Sequence, residues 1–379
     1  MQHSTDRILT THVGSLPRPA DLLDLMKARA EGEAYDRRVA SAVKDAVRRQ
    51  VESGIDIVSD GEQSKTGFFT YAQERLEGFE PRPQQRSDKF AAEIAAFPEY
   101  YAYYFTHAMM GGAVVPSVPL VCTGPVRYRG EAALRRDILN LKAALNGVAH
   151  RAAFVPAVAP SGVGANAYYR SEEEFFHAVA AALASEYRAI VDAGFLLQID
   201  DPFLSEMFAD PALNAAGRRA RAELHVAALN QALAGIPPEK VRFHTCYGIN
   251  EGPRIHEADL AEVLPYMLRV NAGAYSFEAA NVRHEHEYHL WEGTALPEGK
   301  LIIPGVITHA SNIVEHPLWI AERLVRFAER VGRENVVAGA DCGFSSQATY
   351  ATEVHPTVVW AKFQALRDGA RLASQRLWS

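Results

Sequence analysis

Cysteine is scarce in this chain, with three residues in 379. That excludes a disulfide framework, and the odd number leaves at least one thiol over, so each cysteine has to be accounted for by itself. Long apolar runs are missing as well, none approaching the roughly 18 to 20 residues that a membrane-spanning helix requires. The opening MQHSTDRILTTHVGSLPRP has no hydrophobic stretch behind a basic one, and the expected location is cytoplasmic. No block of Lys and Arg occurs and the formal net charge is −7, which leaves nucleic acid and anionic membranes without an electrostatic footprint. Small molecules are therefore the expected partners; nothing in the pattern speaks to oligomeric state. Internal repeats, low-complexity tracts and flexible interdomain linkers are absent too.

What is present is ordinary globular material: 48% hydrophobic and 22% charged residues, enough apolar side chain for a large core. Short β-branched runs alternate with long amphipathic stretches, the pattern of a parallel sheet with crossover helices. Strands are expected at Ile8–Val13, Ile55–Ser59, Ala153–Ala159, Phe195–Asp200, Val241–Cys246, Ala274–Glu278, Leu301–Ile307 and Val336–Asp341. Helices are expected at Tyr35–Ser53, Ser171–Ala193, Asn214–Ala234, His256–Val270 and Pro317–Val331, three of them closed by Gly54, Gly194 and Gly332. A ninth apolar run, Val118–Tyr128, lies in the Gly/Pro-punctuated segment GGAVVPSVPLVCTGPVRYRG, which suits a hairpin. The expected fold is α/β: one (β/α)8 TIM barrel over residues 1–379, with a β-hairpin/helix excursion after the second strand, at about 63–146, that includes a helix from Glu131. A doubly wound sheet is the alternative, but no Gly-rich dinucleotide fingerprint follows the first strand.

In a barrel, functional side chains gather just after the carboxyl ends of the strands. Polar residues do so here repeatedly: His12 and Ser15, Asp60 and Glu62, Asp200 and Asp201, His244 and Cys246, Glu278, His309, and Asp341 with Cys342. Any one of them alone would be ordinary cap or turn chemistry. The sharpest subset is His244-x-Cys246 with Cys342 far downstream. Residues two apart on a strand face the same side, so an imidazole and a thiolate can converge on one ion, for which Zn²⁺ is the fitting metal. From spacing alone, buried structural cysteines beside a hydrogen-bonded histidine remain an equal alternative.

Seven motifs in order bear on that choice: THVGSLPRP near the start, then DGE at 60–62, QIDDP at 198–202, HTCYG at 244–248, SFEAA at 276–280, PGVITHASN at 304–312 and ADCG at 340–343. Together they resemble the C-terminal catalytic half of cobalamin-independent methionine synthase, over most of the chain except the excursion. The resemblance implies a zinc-dependent thiol methyltransferase or alkyltransferase, with His244, Cys246, Glu278 and Cys342 as metal ligands. It implies further that Ser15, Glu62 and Asp200 form the thiol-substrate pocket, the two carboxylates facing the amino group of homocysteine, and that His309 protonates the departing group. The donor would be one such as 5-methyltetrahydrofolate. The resemblance also places the third barrel strand at VPAVAPSG and makes Cys122 a small core residue.

Two departures are visible. The second, N-terminal barrel of the full-length family is not in this sequence, and Ala167 stands where the family carries a folate-stacking Trp, with Tyr168 and Tyr169 beside it as substitutes. The stretch SFEAANVRHEHEYHLWE resembles the single-barrel epoxyalkane:coenzyme M transferases, which open an epoxide with a zinc-activated thiol. There Arg283, His284, His286 and Glu287 would line the electrophile or a sulfonate, or else form a solvated or capping turn. Asp201 stands where the methionine synthases usually have Glu, and Arg18 would pair with a substrate carboxylate or face solvent. A third reading is a metal-binding or thiol-binding barrel that has lost catalysis, since the related uroporphyrinogen decarboxylase barrels do without zinc.

Overall fold

The computed structural model describes residues 1, 3–83, 90–107, 112–115, 118–248 and 251–379. Parts of the expected excursion, at 84–89, 108–111 and 116–117, lie outside the described residues. Eight parallel strands form one sheet: β1 (Leu9–Thr10), β2 (Ile57–Ser59), β3 (Ala152–Val158), β4 (Leu196–Asp200), β5 (Val241–His244), β6 (Ala274–Phe277), β7 (Leu301–Ile307) and β8 (Val337–Ala340). Each pairs with its neighbour in chain order, β8 returns to β1, and a parallel bridge from Thr11 to Ile57 brings the ends of the sheet together. This is the expected (β/α)8 barrel.

Period-two alternation decides which side chains fill the barrel. Leu9, Ile57, Phe154, Leu196, Ala274, Leu301, Ile303 and Val337 form a separate interior cluster, while Tyr275, Phe277 and Ile302 pack outward under the helices. Above that plug the buried Arg242 guanidinium lies 4.0 Å over the Phe154 ring and donates to Thr11 Oγ1 and His12 O. The helices obey the capping signals: Ser171 accepts from Glu174 N ahead of Glu172–Asp192, Asn214 from Gly217 N ahead of Ala215–Ala232, and Pro317 starts Pro317–Val331. Gly54 and Gly194 turn the chain out of their helices at φ 88° and 95°, where a side chain would be strained.

The ninth apolar run is a strand, Leu120–Tyr128, but its partner differs from the one expected. It pairs antiparallel with Leu76–Pro81, and the short helices Ala91–Ala96 and Pro98–His107 stand between the two in sequence; Ala165–Asn166 adds a parallel third strand. The helix from Glu131, Glu131–Leu145, packs against the barrel helices Glu33–Glu52 and Glu172–Asp192. Cys122 is fully buried, its thiol 3.2 Å from Gly124 O. Among the described residues, no helix is long and apolar enough to cross a membrane.

Candidate metal centre

Register assembles the floor of the site. Asp200 of β4 pairs with His244 of β5, which pairs with Ser276 of β6, so three polar residues stand in one row at the carboxyl ends of adjacent strands. His244 Nδ1 lies 3.0 Å from Ser276 Oγ. A proton on Nδ1 satisfies that contact and leaves Nε2, buried and without a hydrogen-bond partner, as a free lone pair. Burial first, then the nearby Arg242 and His309, lower the His244 pKa to about 3, so the imidazole is neutral, the form in which it can ligate.

Cys246 and Cys342 are free thiols with their sulfurs 3.3 Å apart, too far for a disulfide bond. The contact with Cys246, followed by burial, raises the Cys342 pKa well above the ordinary thiol value. One ligand atom from each of His244, Cys246 and Cys342 lies within 4.8 Å of the others. A neutral imidazole nitrogen with nothing to bond and two adjacent thiols, all buried, suit Zn²⁺, which would hold the sulfurs deprotonated.

Glu278, whose charge also helps to raise the Cys342 pKa, is buried beside that trio. Its carboxylate accepts from Tyr247 N at 3.1 Å and from Arg254 Nη2 at 2.9 Å, and it groups with His309 and Asp341, again within 4.8 Å. His309 is buried and, among the described residues, has no side-chain hydrogen-bond partner, and burial ahead of Arg254 and Lys362 lowers its pKa to about 3 against a backbone contact with Gly248. Asp341 Oδ1 accepts from Ala279 N and Ala280 N at 2.8 Å each, while burial and then Glu278 raise its pKa to about 7.

A cavity of about 30 Å³ is lined by Ser15, Glu62, Asp200, His244, Cys246 and Cys342 together with Phe68 and Gly343. The proposed thiol-pocket residues and three of the four proposed metal ligands thus share one space. Its volume suits about one water. Burial and then Glu62 raise the Asp200 pKa well above the usual carboxylate range, and Gln198 Nε2 donates to its Oδ1 at 2.8 Å. No motif or periodicity points to Lys65, whose buried ammonium is 3.3 Å from Glu62 Oε1 and 2.6 Å from Pro156 O.

Several other residues have structural employment. Arg18 neither faces solvent nor points to an open pocket: it is buried and donates to the carbonyls of Ser345, Glu62 and Lys65 at 2.7 to 2.9 Å. Asp201 Oδ1 accepts from Leu204 N in the first turn of Phe203–Ala209 and from Ser161 Oγ. Tyr169 Oη accepts from Val126 N, whereas Tyr168 is 50% exposed. In the 283–287 cluster Arg283 and His286 are exposed, but His284 is buried between Glu257 at 2.9 Å and Glu287 at 2.8 Å, its ring stacked 3.9 Å from that of Tyr247.

That arrangement has a measurable consequence. Burial pulls the His284 pKa down, but its hydrogen bonds to Glu257 and Glu287 overcome this and raise it from 6.5 to about 9. A raised folded-state pKa contributes stability that is fully present below pH 6.5 and lost as pH rises through about 9. At about 1.4 kcal/mol per pKa unit, urea unfolding is expected to show a loss on the order of 3 kcal/mol across that window. His284→Gln should flatten this slope; an equal loss in the variant would place the titrating group elsewhere.

Residues 8–89 and 159–361 match the family model described as the catalytic domain of cobalamin-independent synthase. The chain is 23% identical over 342 residues to a methionine synthase of Sulfolobus acidocaldarius, covering 88% of this chain and 85% of that protein. It is 25% identical over 344 residues to one of Thermococcus kodakarensis, covering 88% and 86%. Among solved structures, a B12-independent methionine synthase from Shewanella in complex with selenomethionine superposes with TM-score 0.73 at 21% identity, covering 98% of this chain and 99% of that one. A putative vitamin-B12 independent methionine synthase from Listeria monocytogenes gives TM-score 0.66 at 21% identity, with the same coverage of both chains. At this identity the structural likeness is one of fold.

Proposed function

We propose, since this chain belongs to the cobalamin-independent synthase catalytic-domain family, that it transfers a methyl or related alkyl group to a homocysteine-like thiol at the His244, Cys246 and Cys342 centre. The observation that carries this reading is the unpartnered Nε2 of His244 beside two free thiols, on a cavity that Ser15, Glu62 and Asp200 also line. Zn²⁺ at that centre would keep the sulfur of the incoming thiol ionised, whereas a free thiol of pKa about 8.5 is mostly protonated at neutral pH. The residues of the chain do the rest.

Glu62 and Asp200 converge on the cavity; burial and then Glu62 push the Asp200 pKa up, and the opposite charge of an arriving substrate ammonium would favour its ionised form. To His309, a buried neutral imidazole, falls the protonation of the leaving atom of the donor. That atom is a pterin nitrogen for 5-methyltetrahydrofolate or an alkoxide oxygen for an epoxide. The curated relatives are named methionine synthase, which supports a methyl donor over an epoxide. Ala167 in place of a stacking Trp favours the second, with coenzyme M or a similar thiol as acceptor.

The test offers homocysteine or coenzyme M with methyltetrahydrofolate or an epoxide to the zinc-loaded protein and follows free thiol. Joint consumption of homocysteine and folate is the expected outcome. Consumption of only the epoxide pair selects the second reading, and no consumption of any pair supports a catalytically silent metal-binding or thiol-binding barrel. For the active pair, Glu62→Gln is expected to raise the thiol KM about tenfold or more while leaving zinc bound, because it removes one charge facing the ammonium. An unchanged KM would take Glu62 out of the pocket.

A further inference from the structure

Glu62 sits in a strained and tightly held turn. Its backbone lies at φ 53°, a left-handed conformation that a non-glycine residue adopts at a cost. The turn is locked from several sides: Glu62 N donates to Asp60 Oδ1 at 2.9 Å, Lys65 N donates to Glu62 O at 3.1 Å, and the buried Arg18 guanidinium donates to the carbonyls of both Glu62 and Lys65. That geometry brings the Lys65 ammonium back to the Glu62 carboxylate, 3.3 Å from Oε1, with each side chain only 1% exposed. The ammonium is fully engaged, because Pro156 O accepts from it at 2.6 Å and the Tyr71 ring centroid lies 4.3 Å away. Tyr71 is fixed in turn, donating to Glu186 Oε1 at 2.8 Å and accepting from Val158 N at 3.0 Å.

What is left over is Glu62 Oε2. It is buried without a hydrogen-bond partner among the described residues, on a side chain that lines the same cavity as Asp200, Cys246 and Cys342. A buried carboxylate oxygen with nothing to accept is costly, and a ligand that donates to it removes that cost. We propose that Lys65 is a positioning residue for the substrate thiol: by taking Oε1 it fixes Glu62 as a carboxylate whose open oxygen faces the cavity, so that thiols bearing an ammonium bind in preference to the same thiols without one. The inference rests on the reading of Glu62 and Asp200 as the amino-group end of the thiol pocket. An arriving ammonium completes an alternating row of Lys65, Glu62, substrate and Asp200, in which each neighbour carries the opposite charge. Without Lys65, Glu62 loses both its tether and the cation beside it.

The experiment uses the zinc-loaded full chain and measures by calorimetry the Kd of homocysteine and of mercaptobutyrate, which is homocysteine without its amino group. Wild type, K65M, K65R, E62Q and the K65M/E62Q double variant are compared, with KM and kcat followed for the active pair. K65M is expected to weaken homocysteine binding and raise its KM about tenfold or more, with kcat changed less than about threefold and mercaptobutyrate affinity less than about twofold. K65R keeps a cation beside Oε1 and should hold homocysteine to within about threefold of wild type, and K65M should add little to the loss already caused by E62Q. Should K65M fail to fold, K65Q keeps a donor for Pro156 O without the charge, and the same split between the two thiols is expected. Equal losses for both thiols in the neutral variants, or no loss for either while E62Q weakens homocysteine, overturns the proposal. Homocysteine bound by E62Q as tightly as by the wild type, or by the wild type no better than mercaptobutyrate, would instead strike the pocket reading itself, so the two failures are distinguishable.

Discussion

Cys246→Ala is expected to lose zinc affinity by at least about 10³-fold and with it all thiol consumption, because the centre has two sulfurs and one imidazole and cannot spare a thiolate. The loss is specific to this position. Cys342 lies 3.3 Å away and keeps its thiol, but it is then a single sulfur beside one nitrogen. Cys122→Ala is the control: that side chain sits in the core next to Gly124, and its removal should cost about 1 kcal/mol of stability with zinc content and turnover intact. Metal analysis of the two purified variants, with thermal unfolding to show that both are folded, decides the matter. Zinc at wild-type levels in Cys246→Ala would remove the ligand assignment.

His309→Ala is the second large effect, and it acts on the other half of the chemistry. Among the described residues the ring has no side-chain partner, only a contact with the Gly248 backbone, so truncation breaks little in the resting protein and should leave the metal in place. Turnover is nevertheless expected to fall by about 10²-fold or more, since the proton then has no relay to the leaving atom. Burial, then Arg254 and Lys362, lower the His309 pKa to about 3, so the ring carries no proton in the resting protein. An enzyme that already holds a protonated histidine would gain rate as pH falls through neutrality; with His309 as described, no such gain is expected. Single-turnover rates of the variant with zinc content measured in parallel test this, and a fully active variant would end the role.

The barrel was legible because its strands are β-branched runs set between helices whose caps follow local rules, as at Ser171, Asn214 and Pro317. Strand ends were less so: Ile8–Val13 contracts to Leu9–Thr10, beyond which Val13 lines the cavity and His12 Nε2 lies 2.7 Å from Gln50 Oε1. The pairing of Leu76–Pro81 with Leu120–Tyr128 escaped a local reading because two helices separate the strands, and turn chemistry signals only neighbours. In the site, His244, Cys246 and Cys342 could be read because strand periodicity aligns the first two and a strand end presents the third. Ser276, which orients His244, was within reach through the register of β5 and β6. Lys65 and Arg254 were not: each arrives from an irregular loop, where no periodicity ties a residue to what its side chain will meet.

Zinc K-edge X-ray absorption on the loaded protein, before and after homocysteine, tests the central claim most directly. The account predicts about one ion per chain with two sulfur neighbours and lighter atoms completing the shell, and a third sulfur once the thiol is added. A sulfur count that stays the same while homocysteine is consumed, or a bound ion with no sulfur neighbour at all, would contradict it.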